Sequence, residues 1–162
     1  MSIRDDVEAQ LKGLVGAAMP ATLQASDATG VTVYIDLSAV DTMSCQFSEL
    51  SILVPSLQNA PFDKLKKWAA DLSQRITYLL ENIGPLEFDP ANGQVLIRST
   101  PPHQLASGTQ YYEIMLSSSG NGNFTLRRYK SVAGQPGRIA ADLQMTHEVL
   151  LRLVEDLLDT MP

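Results

Sequence analysis

Residues 30–39, GVTVYIDLSA, alternate without a break. Val31, Val33, Ile35 and Leu37 fall on one side of an extended chain, and Thr32, Tyr34, Asp36 and Ser38 fall on the other. A strand of this kind belongs to a sheet with one face against a core and one wetter face. The next apolar stretch, CQFSELSILV, changes phase, from Cys45 and Phe47 to Leu50, Ile52 and Val54. That change predicts a bulge, or a late strand start, near Ser48 and Glu49. Pro55 closes the segment.

Helical spacing takes over elsewhere. Ile3, Val7, Leu11, Leu14 and Ala18 form one apolar side, with Ser2 and Asp5 placed as a capping box and Pro20 as the limit. In residues 62–82 the positions Phe62, Leu65, Trp68, Ala69, Leu72, Ile76, Leu79 and Leu80 make a stripe roughly 120° wide, suited to one sheet face. Gly84 and Pro85 are expected to stop this helix.

Strands are expected next. Leu86 to Phe88 and Gln94 to Ser99 flank DPANG, and residues 109–116 and 123–130 flank SSSGNG, two hairpin signals. Between the hairpins, STPPHQLASG reads as a loop, because Pro101 and Pro102 do not suit a central strand. The fold class that follows is α+β: a mainly antiparallel sheet of about six strands with three helices, in the order α-β-β-α-β-β-β-β-α. Residues 1–162 are expected to form a single domain, within the usual size range for one core.

The last helix is read over residues 142–158, DLQMTHEVLLRLVEDLL. At helical spacing Val149, Leu150, Leu151, Leu153, Val154, Leu157, Leu158 and Met161 spread over roughly 200°, with Thr146 and His147 inside the arc. Such an arc needs either the sheet and another helix of the same chain, or the sheet and a second subunit. Lys64, Lys66 and Lys67 open the middle helix while Glu155, Asp156 and Asp159 close the last one, so antiparallel helices would bring the two clusters together. On that reading, reversing the lysines weakens dimerisation or stability more at low salt.

Chemistry finds little support. Cys45, the single cysteine, has no disulfide partner in the chain, and His103 and His147 are the two histidines. No nucleophile elbow surrounds them, and no HxH, HxxxH or HExxH spacing places metal ligands on one helix face. The expectation is therefore no catalytic residue, no metal and no cofactor. GQPG, residues 134–137, lacks the lysine and hydroxyl of a phosphate loop and reads as plain loop. RRYK, residues 127–130, is basic and carries Tyr129, but alternation sends Arg127 and Tyr129 one way and Arg128 and Lys130 the other. With a formal net charge of -6, the chain disfavours nucleic acid. The cysteine usage, an acidic N-terminus and the lack of a long apolar run point to a cytoplasmic protein with no membrane partner.

The layout of an N-terminal helix, strands, a middle helix, more strands and a C-terminal helix resembles the small acidic chaperones of bacterial type III secretion and similar secretion-chaperone-like domains. The resemblance is architectural and covers most of the chain. It implies a homodimer that binds an extended partner segment along its sides. The reading above has two strands before the middle helix and four after it, where that family has three and two.

Two functions are expected on this basis. The first is a noncatalytic protein-interaction module or small chaperone, binding a protein segment or itself as a homodimer, through Leu151, Val154, Leu158, Met161 and Tyr78. The second is a small-ligand binder or enzyme with a pocket between a curved sheet and the middle helix, near Arg98, His103, Tyr111 and Tyr112.

Overall fold

A computed structural model describes residues 2–78, 82–100, 103–105, 108–119 and 123–162. Helix α1 runs Ile3–Gly13. Ser2 caps it, its hydroxyl accepting from the Asp5 backbone N–H at 3.1 Å, and Asp5 and Asp6 favour the positive end of the helix. Ile3, Val7 and Leu11 are buried, as their spacing predicts. Ala18 is exposed, because the helix stops at Gly13 and Gly16 takes a positive φ of 78°.

Strand β1, Ala21–Ser26, is absent from the sequence reading. It places only Leu23 and Ala25 inward, too few apolar positions to signal alternation, and alanine is a weak strand former. It forms a hairpin with β2, Thr32–Val40. β3, Ser44–Leu53, lies antiparallel on the other side of β2. Asp36 faces Glu49 and Leu37 faces Phe47, so Ser48 is the extra residue of a bulge. That bulge lets Phe47 and Leu50 both point into the core while Ser48 stays exposed.

After a single 3-10 turn at Pro55–Leu57, α2 spans Phe62–Arg75 and buries Leu65, Trp68, Ala69 and Leu72. It ends short of the expected residue 82. Ile76 leaves helical geometry at φ -94° and ψ 58° with its side chain fully buried, and Thr77 follows as a second β-branched residue with weak helix preference. Gly84 and Pro85 therefore do not cap α2; they lie in β4, Asn82–Asp89. β4 is an end strand of the sheet, where a missing proline N–H is tolerated. Leu79 and Leu80 lie outside the described residues.

The hairpin of β4 with β5, Gln94–Thr100, turns at DPANG as expected. A short β6, His103–Leu105, pairs with β7, Gly108–Ser117, so part of the expected loop is strand. β8, Phe124–Val132, pairs with β7 along most of its length. Pro101, Pro102 and residues 120–122 of the second turn fall outside the described residues.

The segment from residue 142 corrects the sequence reading most. β9, Ile139–Ala141, and β10, Leu143–Thr146, come first, and α3 runs only from His147 to Thr160. Leu143 and Met145 point inward and Gln144 and Thr146 outward, an alternation too short to separate from a helical wheel. Thr146 is the N-cap, its hydroxyl accepting from the Val149 N–H at 3.2 Å.

Ten strands join one antiparallel sheet among the described residues, against the roughly six expected from hairpin signals alone. The main order is β1-β2-β3-β8-β7-β5-β4. β3 and β8 pair only at Leu50–Ile52 with Phe124–Leu126, and then diverge. The fork is filled by β10 along the start of β3 and by β9 along the end of β8.

α1 packs on β1, α2 on β4, β5 and β7, and α3 on β10, with α3 also touching both other helices. Leu150, Leu151, Leu153, Val154 and Leu157 are buried. The wide apolar arc is thus covered within the chain, and each such side chain contributes about 1.5–3 kcal/mol by burial. α2 and α3 do run antiparallel: Trp68 Nε1 donates to Thr160 Oγ1 at 3.1 Å, while Arg75 Nε meets Asp156 at 3.0 Å. The lysines are not what the acidic end meets. Arg75 takes Asp156 and Asp159, Arg4 of α1 takes Glu155 at 3.1 Å, and Lys67 pairs with Asp71 on its own helix.

Candidate functional site

The strict alternation of β2 sets the geometry of the whole sheet. Val33, Ile35 and Leu37, with Leu50 and Ile52 of β3, Leu126 of β8, Ile114 of β7 and Val95 and Ile97 of β5, are buried on the helix side. The opposite parity makes a second face. Tyr34 and Asp36 of β2, Glu49 and Ser51 of β3, Tyr129 of β8, Tyr111, Glu113 and Met115 of β7, and Leu96 and Arg98 of β5 are half-buried there, and Arg127 is exposed. Among the described residues no helix covers this face.

Strand register brings its polar and aromatic groups together. Tyr111 stands opposite Tyr129, Glu113 opposite Arg127, and Arg98 opposite Glu113. The two tyrosine rings are 6.0 Å apart, tilted by 35°. Arg98 lies over the Tyr111 ring at 5.1 Å and its Nε reaches Glu113 at 3.3 Å. At the mouth of the fork, Arg127 bridges to Glu49 of β3 at 2.9 Å and its Nη1 lies 3.4 Å from the Tyr129 hydroxyl. Arg138, from the connection before β9, crosses β8: its guanidinium lies 3.8 Å from the centre of the Tyr129 ring, it donates to the Tyr111 hydroxyl at 3.3 Å, and it forms an ion pair with Glu113. Hydrogen bonds first to Tyr111 and then to Glu113 raise the Arg138 pKa above its ordinary value, and Arg127 is raised as well, chiefly by its bond to Tyr129. These groups are fixed cations in contact with rings and carboxylates.

The residues expected for a pocket separate. Arg98 and Tyr111 share the open face, but Tyr112 points the other way, buried on the helix side with Arg128 4.2 Å over its ring. His103 pairs through its backbone with Gln110, and its side chain lies outside the described part of the structure. The space between sheet and α2 holds packed core, Trp68 lying against Phe124 with ring centres 5.9 Å apart. Two clefts lie at the helices: about 410 Å³ between α2 and the end of α3, and about 320 Å³ between α1 and the start of α3. The larger contains the pairs Lys67 with Asp71 and Arg75 with Asp159, so its charges already answer one another.

The expected interaction surface on α3 is also redistributed. Leu151 and Val154 are buried between helices and cannot serve as surface in this fold. Leu158 and Met161 are partly buried against the core. Tyr78, past the end of α2, donates to Asp156 at 2.7 Å and lies under Arg152 at 4.0 Å. His147 begins α3, its Nε2 3.1 Å from the Ser44 carbonyl oxygen. Cys45 is buried, and burial first, with Asp41 second, pushes its thiol up to about 11, so it is a poor nucleophile at neutral pH.

Glu113, Tyr129 and Arg138 were not singled out together in the sequence. Alternation does place Tyr111 with Glu113 and Arg127 with Tyr129, but joining the pairs requires the β7–β8 register. Arg138 reaches them only through the fork. No protein-family model, curated protein or solved structure matches this chain.

Proposed function

We propose that this chain is a noncatalytic protein-interaction module or small chaperone that receives an extended protein segment on the open side of its sheet. The observation that supports this reading is a sheet face, free of covering helices among the described elements, on which Tyr34 lies and Tyr111 and Tyr129 stack with Arg98 and Arg138. Tyrosine and arginine are the side chains that interface centres favour, because each offers a large apolar surface with a polar tip. Three strands precede α2, the number that the resemblance to secretion chaperones implies, and the long strands β4, β5, β7 and β8 follow it, where that family has two. Self-association as a homodimer would use this face or a sheet edge, since α3 is covered within the chain. No helix of the described residues is long and apolar enough to cross a membrane.

Affinity capture from the source cell, with the wild type and a Ser51→Arg variant side by side, tests the reading. Ser51 stands opposite Tyr34 on the open face, two residues along β3 from Glu49. Proteins held by the wild type and lost by the variant are the expected result. An identical set on both would remove the open face from the proposal. Light scattering of the purified chain separates monomer from dimer.

A further inference from the structure

We infer that Tyr129, Tyr111 and Glu113 form a receptor for an arginine in an extended segment of a partner protein, and that the chain's own Arg138 occupies it in cis. This rests on the interaction reading above and names the chemistry of one subsite.

The chain itself supplies the template for the ligand. Residues 138–141, RIAA, begin with Arg138 and continue as β9, which pairs antiparallel with β8 so that Ala140 faces Tyr129 and Ile139 faces Lys130. This is the arrangement of a peptide added to a sheet edge, with main-chain pairing for affinity and a side-chain site for specificity. The site is built from sheet residues on two strands. Tyr129 supplies a ring face at 3.8 Å, Tyr111 a hydroxyl acceptor at 3.3 Å, and Glu113 a carboxylate in ion-pair contact. A planar guanidinium can stack and fork at once, whereas an ammonium can only supply a point charge. Arg127 Nη1 lies 3.4 Å from the Tyr129 hydroxyl, and Arg98 Nε meets Glu113 from β5 at 3.3 Å.

Glu113 is the covered part of the subsite, whereas the Arg138 side chain is 40% exposed. The Glu113 side chain is only 12% exposed, although it stands on the open face. What encloses it is two arginines of different kinds. Arg98 belongs to the sheet, whereas Arg138 hangs from the connection 133–138, where Gly134 and Gly137 take positive φ of 81° and 79°. The rest of the segment is held by main-chain pairing rather than by buried side chains: Ile139 is 45% exposed, Ala140 is exposed, and β9 is three residues long. Arg138 is the side-chain anchor at the start of the segment, and Ser38, donating to Asp142 at 2.9 Å, ties its far end. A partner segment carrying arginine followed by small or apolar residues would present the same groups, and the chain's net charge of -6 favours a basic arrival. It competes with a tethered arginine whose effective concentration is in the millimolar range, as short flexible tethers give.

The test uses the full chain and a blocked peptide of residues 135–142, QPGRIAAD, followed by titration calorimetry. Arg138→Ala empties the site; Arg138→Gln serves if that variant loses its fold, which circular dichroism reports. The expected result is binding to the emptied variant about tenfold or more tighter than to wild type, lost when Glu113→Gln is added, and weakened when the peptide's arginine is lysine. Equal affinity for wild type and the emptied variant, or no binding to the emptied variant, overturns the proposal. Either failure removes the arginine subsite alone, since the Ser51→Arg capture reads the loss of cellular partners from the open face and not the binding of this peptide.

Discussion

Tyr78 donates its hydroxyl hydrogen to Oδ2 of Asp156 at 2.7 Å, joining the chain just beyond α2 to the middle of the last turns of α3. Arg75 Nε meets the other carboxylate oxygen at 3.0 Å, and the Asp156 side chain is 10% exposed. Burial first, and the Asp156 carboxylate second, push the Tyr78 phenol well above its ordinary range, so it remains a donor into strong alkali. A charge that is nearly buried is thereby held from two sides.

Tyr78→Phe is expected to cost about 1–2 kcal/mol, the value of a hydrogen bond to a charged acceptor. Asp156→Ala costs about 2–3 kcal/mol, because it also strips Arg75 of a partner, although Arg75 is half exposed and can turn to water. Urea unfolding of both single variants and the double variant measures this. Strict additivity would show that the two side chains do not act as one contact.

Leu151→Ala is expected to destabilise the monomeric chain by about 2–4 kcal/mol, since its side chain is 5% exposed. Had α3 offered this residue to a second subunit, unfolding of the dilute monomer would change little. Chemical denaturation at several protein concentrations distinguishes the two cases, and a midpoint that depends on concentration only in the wild type would favour the subunit contact.

Two turn carboxylates make stability fall in acid. Asp27 is held below its ordinary pKa first by the Thr29 hydroxyl and then by backbone N–H groups of the β1–β2 turn, and Asp41 by the N–H groups of Met43 and Ser44. Both shifts are downward, so their stabilisation is present above the unfolded pKa and is lost as pH drops through the lower folded one. The denaturation midpoint should hold from neutrality to about pH 5 and decline below about pH 4. Asp27→Asn with Asp41→Asn should flatten that decline; an unchanged slope would assign the acid sensitivity to other groups.

Cys45 should react with a thiol reagent only when the chain opens. It is 2% exposed and its thiol is shifted up to about 11, so accessibility and thiolate fraction both oppose attack. Labelling rates at neutral pH should track unfolding as urea is added. Rapid labelling of the native chain would contradict the burial of β3 described above.

Where a segment had a strong period and its own punctuation, its structure was legible. The β2 alternation, the bulge at Ser48, the DPANG hairpin and the capped start of α1 all involve neighbours in sequence, and their signals are local. β1, β9 and β10 escaped because each offers no more than two buried positions to signal alternation, and β6 because it is three residues long; β10 in addition takes its hydrogen bonds from β3, far away in sequence. The end of α2 escaped for a related reason: helical spacing continues to Leu80, but burial of Ile76 and the reach of Tyr78 to Asp156 favour leaving the helix at Arg75.

The candidate surface followed the same division. Arg98 and Tyr111 could be named from sequence, yet their company could not, since Tyr112 turned to the core and Glu113, Tyr129 and Arg138 gathered through register and the β3–β8 fork. By itself the amino-acid order determined an α+β chain with a two-faced antiparallel sheet, because alternation and helical spacing are properties of consecutive residues. Only the tertiary structure decided that α1 and α2 cover α3, and that among the described residues no helix covers the far side of the sheet. Those outcomes depend on which buried faces meet, and contacts between segments distant in sequence carry no local period to announce them.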